Sequence, residues 1–191
     1  MVSTHQITEK EMNEAIDAAL KEVKDKIPAN MLPLMREAAL KIHMENTPPY
    51  EAMGISKEII EEMYAQGYHF FQSGKFKDAL GQFIIVNQLA GGSDPRFLFA
   101  IAATHHQMKN YQEAAGFYMF YEALHRTDPL PYYYLYDCFK NLNEPEMAIN
   151  SLRGAARLAE KIPQYASLKA RIDLELQNSL DSTSKEGVNH E

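Results

Sequence analysis

One cysteine, Cys138, stands in 191 residues. A single thiol builds neither a disulfide framework nor a Cys-based zinc site. Cations are in deficit as well: 19 Lys and Arg against 26 Asp and Glu leave a formal charge of −7. Phosphate backbones are gripped by clustered Lys and Arg, so this balance argues against a nucleic-acid protein. No apolar run approaches the ~20 residues that span a bilayer, and the opening Met1-Val2-Ser3-Thr4-His5-Gln6 leads into no apolar stretch of the secretory kind. These shortages set the expectation of a soluble, cytoplasmic protein that binds no nucleic acid and does not insert into a membrane. What the chain does have is apolar mass, 46% of its residues, enough for a packed core.

Catalytic constellations are also missing. His105 and His106 are adjacent, so on a helix they point about 100° apart and cannot chelate one metal, which takes an i, i+4 pair. His69 and His125 stand alone. Cys138 has no neighbouring base and reads as a small buried thiol rather than a nucleophile. Gly91-Gly92-Ser93 lacks the Lys-Ser/Thr that completes a phosphate loop and reads as a turn. The expectation is a protein that is not an enzyme and has no metal and no cofactor.

Three similar passages recur: Gly74-Lys75-Phe76-Lys77-Asp78-Ala79-Leu80, Lys109-Asn110-Tyr111-Gln112-Glu113-Ala114-Ala115 and Asn143-Glu144-Pro145-Glu146-Met147-Ala148-Ile149. Their alanines lie 35 and then 34 residues apart, and four residues beyond each comes a bulky group, Phe83, Tyr118 or Leu152. Upstream run helical stripes: Met63, Gly67, Phe70; Leu98, Ile101, Ala102; Tyr132, Leu135, Phe139. This is the tetratricopeptide (TPR) pattern. A small residue lets helices A and B of a repeat approach closely, and the bulky ones fill the space against the next repeat. The fold class is therefore all-α: three tandem TPRs in a right-handed α-solenoid, with N-terminal helices and a C-terminal capping helix.

Around the repeats, Thr8-Glu9-Lys10-Glu11 spells a capping box ahead of the stripe Met12, Ile16, Leu20, Val23, Ile27, a helix that Pro28 is expected to end. A second helix is expected over roughly 34–44, and Thr47-Pro48-Pro49-Tyr50 reads as an extended break. After Pro163, Tyr165, Leu168, Ile172 and Leu176 form the stripe of a cap. The resulting division is an N-terminal extension over 1–53, the TPR domain with its cap over 54–180 and a disordered tail over 181–191.

In such an array, repeat positions 2, 5, 9 and 12 of each helix A line the concave face. With Ala79 as position 20 they are Glu61, Tyr64, Tyr68 and Phe71, then Arg96, Phe99, Ala103 and His106, then Leu130, Tyr133, Asp137 and Lys140. A groove lined by Tyr64, Tyr68, Phe71, Phe99 and Tyr133 suits an extended, apolar-anchored peptide, because rings offer large contact area at little entropic cost. The competing expectation is that terminal helices bury some of these rings. If the groove is open, truncating Tyr64 and Phe99 to alanine is expected to abolish capture and spare helix content.

Beyond the general consensus, Met63-Tyr64-Ala65-Gln66-Gly67-Tyr68-His69-Phe70-Phe71-Gln72-Ser73-Gly74-Lys75-Phe76 resembles the opening repeat of the class II chaperones of bacterial type III secretion. The likeness continues through Asp94-Pro95-Arg96-Phe97, His106-Gln107-Met108-Lys109-Asn110-Tyr111, Tyr118 and Cys138, over about residues 55–160. It implies a cytoplasmic chaperone that holds hydrophobic translocator subunits before export, docking an extended segment in the groove. By the same resemblance Tyr64, Tyr68 and Phe71 match the family's groove aromatics, with Phe99 and His106 on the same wall. Arg96, Tyr133, Asp137 and Lys140 complete the expected peptide-binding set. The family dimerises through its N-terminal helix or first repeat, which points to Ile16, Leu20 and Val23 as the homodimer stripe. The alternative is a generic TPR adaptor, co-chaperone or regulator not dedicated to translocators; a co-chaperone that grips an acidic C-terminus needs Lys, Arg and Asn in the groove.

Overall fold

Thr8 opens the first helix as its neighbours dictate. In this computed structural model, which describes residues 8–186, Thr8 Oγ1 accepts the Glu11 amide and Glu11 accepts the Thr8 amide at 2.8 Å, completing the capping box. Helix α1 (Glu9–Val23) ends before Pro28 is reached. The polar run Lys24-Asp25-Lys26 gives the helix no apolar face to hold, and a residue preceding proline is steered out of the helical region. Helix α2 (Leu32–Met44) folds back on α1. Arg36 pins the hairpin, donating to Asp17 at 2.9 Å and to Asn13 at 2.6 Å.

That hairpin corrects one expectation. Ile16 is only 7% exposed and Leu20 and Val23 are half-buried. Of the stripe offered as a dimer surface, Ile16 is thus buried within its own chain, where α1 packs on α2. The exposed apolar side chains lie elsewhere, among them Met31, Leu34 and Met35. The Pro48-Pro49 break is shorter than expected too. Pro48 is extended, but Pro49 starts a short helix, α3 (Pro49–Ala52), because proline at the first helical position has no amide to leave unpaired. Tyr50 packs against the cluster of Ile60, Val86 and Phe97, so contact with the repeats begins ahead of Gly54.

The repeats follow as helix pairs: α4 (Lys57–Gln72) with α5 (Phe76–Leu89), α6 (Pro95–Gln107) with α7 (Tyr111–Leu124), and α8 (Leu130–Asn141) with α9 (Pro145–Ala159). Each helix packs on the next along the chain, and α9 packs on the cap α10 (Ala166–Glu186). The described residues contain ten α-helices and no strand, the TPR-like helical repeat fold read from the sequence. None of these helices is long and apolar enough to cross a membrane. The three A–B turns share one device: Gly74, Lys109 and Asn143 adopt positive φ. The amides that follow them reach back to Phe70, His105 and Phe139 carbonyls at 2.9 Å, closing each helix A in a Schellman turn. Helix α10 continues to Glu186, past Asp181 where a tail was expected. The sequence between them holds neither Gly nor Pro to stop it. Residues 187–191 of that tail lie outside the described residues.

The small-residue rule is visible atom by atom. Ala79, Ala114 and Ala148 are buried, as are Phe83, Tyr118 and Leu152. A Cβ on Gly67 would sit 2.7 Å from Cε1 of Phe83, a ring sealed in the α4–α5 crossing. A Cβ on Gly81 meets nothing within 4 Å. Two helical glycines therefore respond oppositely to alanine. Gly67→Ala is expected to cost about 1–3 kcal/mol through overpacking, and Gly81→Ala to gain about 0.5–1 kcal/mol of helix propensity. Urea midpoints of the two variants check this, and equal shifts would contradict the close approach of α4 and α5.

Candidate functional site: an aromatic groove across repeats one and two

Helices α4 and α6 present their concave positions side by side. Between them opens a cavity of about 320 Å³ lined by Tyr64, Tyr68, Phe71, Arg96, Phe99, Ala103 and His106. These are seven of the eight positions that repeat numbering assigns to the first two repeats; Glu61 is the eighth. The volume falls in the range of ordinary ligand sites. Tyr68, 49% exposed, stacks against Phe71 with centroids 6.3 Å apart. Tyr64 is half-buried, 5.7 Å from Phe83 and 5.1 Å from Phe97, and burial pushes its phenol above the usual range.

Phe99 has a similar double role, meeting Tyr118, Tyr121 and Tyr134 edge-on at 5.5 to 5.7 Å. Truncating Tyr64 and Phe99 together would therefore remove core packing as well as groove wall. The expectation that this pair tests capture without disturbing structure does not hold.

The third repeat departs from the numbering. Tyr133, Asp137 and Lys140 do not line the cavity; Tyr134 does, stacked on Tyr118 at 5.3 Å. The cause is α10, which lies over this end of the concave face. The Arg171 guanidinium sits 5.3 Å from the Tyr133 ring, Tyr136 donates to Glu175 at 3.0 Å, and Lys140 donates to the Tyr136 hydroxyl at 3.4 Å. Asp137 still reaches the groove indirectly, 2.7 Å from His106 Nε2. Phe83, Ala100, Gln107, Tyr118 and Tyr134 complete the lining and were absent from the expected set. Ala100 and Gln107 stand next to Phe99 and His106 on α6, so a wider helical stripe would have found them.

Arg96 lines the cavity but is not a free cation. Its guanidinium donates to Glu61 at 2.9 and 3.0 Å and to Asp94 at 2.9 and 3.2 Å. Hydrogen bonding from Arg96 holds the Glu61 carboxyl below its ordinary value. Burial opposes ionisation of Asp94, yet its bonds to the Arg96 side chain and amide outweigh that and hold it low too. A guanidinium already shared by two carboxylates is poorly placed to clamp a third, which counts against an acidic C-terminus as ligand. Among the described residues no cluster of three His, Cys, Asp or Glu is arranged to hold a metal. Burial pushes the Cys138 thiol up to about 12, so it stays protonated and unreactive.

A tetratricopeptide-repeat family profile matches residues 95–123, which fall within α6, α7 and the turn between them. No curated protein sequence matches the chain. Solved structures do. A chain of the CopN–Scc3 complex is 29% identical with a TM-score of 0.62, over 64% of this chain and 72% of that one. PcrH, a Pseudomonas aeruginosa protein, solved with the chaperone-binding region of PopB, is 25% identical with a TM-score of 0.60, over 63% of this chain and 97% of its own. The Yersinia enterocolitica type III secretion chaperone SycD, solved with a peptide of the translocator YopD, is 23% identical with a TM-score of 0.63, over 67% of this chain and 97% of its own; SycD is also described as an alternative dimer. The likeness first read from residues 55–160 is thus a likeness of structure: this chain has the TPR-like fold of the translocator chaperones PcrH and SycD.

Proposed function

We propose that this chain is a cytoplasmic chaperone of type III secretion that holds a hydrophobic translocator subunit through an extended segment in the groove of repeats one and two. The observation that carries this is the aromatic cavity itself: rings from α4 and α6 converge on a space of ligand size, and its one lining guanidinium is already paired. Chaperones of the same fold have been captured with translocator segments, which supports the same client class here. Translocators carry apolar stretches that aggregate or insert too early, and a reversible apolar surface keeps such a chain soluble. Binding alone suffices, by mass action, with no ATP and no catalysis. The peptide-contacting set is Tyr64, Tyr68, Phe71, Phe99 and His106, with Tyr134 in place of Tyr133.

The free chain is proposed to be a homodimer, through exposed apolar side chains such as Met31, Leu34 and Met35 rather than through Ile16, Leu20 and Val23.

Co-expression with a hydrophobic translocator encoded in the same genome tests the reading. The translocator is expected to become soluble and to co-purify with this chain, and overlapping peptides then locate the bound segment. A translocator that stays insoluble beside abundant chaperone overturns the proposal. Light scattering of the free chain at the mass of one protomer removes the dimer from it.

A further inference from the structure

Tyr118 is fully enclosed, at 0% exposure, yet its ring forms part of the groove wall. Phe99 meets it edge-on and Tyr134 stacks on it. Its hydroxyl oxygen is buried with no hydrogen-bond partner. Taking a hydroxyl out of water unbonded is unfavourable, and phenylalanine would place the same ring without that cost. Repeat packing does not ask for the oxygen. The equivalent positions, four residues beyond Ala79 and Ala148, are Phe83 and Leu152, and both are buried as plain apolar groups.

We propose that the Tyr118 hydroxyl is a recognition group, donating its proton to one backbone carbonyl oxygen of the extended chain held in the groove. This rests on the peptide-binding reading above and sharpens it. An extended segment that enters an aromatic cavity strips water from its own carbonyls, and each then needs a donor. The phenol keeps the proton that such a bond needs, because burial holds it protonated far above the ordinary range. Asp137, whose charge lies close to Tyr118, disfavours an anionic ligand group at this point. The acceptor is therefore a neutral carbonyl, and in an apolar-anchored ligand those belong to the main chain.

Tyr118→Phe tests this with the translocator peptide mapped above, read by calorimetry against wild type. A companion set of peptides carries one backbone thioamide at a time, a weaker acceptor. The free variant is expected to melt higher, since an unbonded buried hydroxyl is gone, while binding the peptide about five- to tenfold more weakly. One thioamide position is expected to weaken binding to wild type and to have no effect on Tyr118→Phe. A purely structural role would move the melting temperature without that position-specific coupling. Equal affinity of wild type and variant overturns the hydroxyl assignment and leaves the groove standing. Wild type that binds no translocator peptide overturns both.

Discussion

Ala103→Glu is expected to weaken binding of the translocator segment at least about 100-fold while the melting temperature stays within a few degrees of wild type. Ala103 sits on α6 in the cavity lining, at the ninth position of the second repeat, with Phe99 and His106 one turn to either side. Glutamate keeps nearly the helix propensity of alanine, so the backbone has no reason to change. Its side chain, however, fills space that an apolar ligand group would occupy, and burying that group is worth about 1.5–3 kcal/mol. Bringing a ligand in would also strip water from the new carboxylate among Tyr64, Tyr68 and Phe99. A hundredfold loss corresponds to about 2.7 kcal/mol, within reach of the first effect alone. Because Ala103 makes no ring contact of its own, this substitution separates binding from folding in a way that Tyr64 and Phe99 cannot. Titration of the peptide against both proteins decides the matter; a dissociation constant unchanged within twofold would place the ligand outside this cavity. Ile85→Glu, on the exposed face of α5, supplies the matched control and is expected to bind as wild type does.

The first two repeats were readable because their geometry is periodic. Once Ala79 and Ala114 fix the register, the four inward positions of α4 and α6 follow, and seven of those eight residues do line the cavity. Charge pairing across repeats follows the same ruler but went unread. Glu61 and Arg96 are both second positions, 35 residues apart, and stack as neighbours in adjacent helices. His106 and Asp137, 31 residues apart, join the twelfth position of one repeat to the ninth of the next. The third repeat was not readable in this way, because its inner face is decided by where α10 comes to rest. The stripe Leu168, Ile172, Leu176 announces that a cap exists, but nothing local says that Arg171 will cover Tyr133 or that Glu175 will take Tyr136. The α1 stripe is a related case. A helical stripe calls for a partner without naming it, and α2 supplied it from within the chain.

The cap also carries the largest stability effect. Ile172 is 0% exposed and belongs to the cluster formed by Leu135, Leu152, Ala155 and Ala159, whereas Leu174, two residues on, is 62% exposed. An aspartate at position 172 would have to enter that cluster as an unpaired carboxylate or pull α10 away from α9. Either route forfeits the burial of the isoleucine and exposes the apolar end of the last repeat, a loss of about 4 kcal/mol or more. For a chain of this size each kilocalorie moves the melting temperature by about 2–4 °C, so Ile172→Asp should melt roughly 8–16 °C below wild type. Leu174→Asp should stay within about 0.5 kcal/mol of it, because its side chain already stands in water. Undocking α10 also releases Arg171 from Tyr133 and Glu175 from Tyr136, so hydrogen exchange should rise along α8 and α9 ahead of α4 and α5. In a solenoid each repeat leans only on its neighbours, and damage at one end spreads inward. If Ile172→Asp and Leu174→Asp melt alike, α10 is not seated on the third repeat, and Tyr133 and Lys140 return to the list of groove residues.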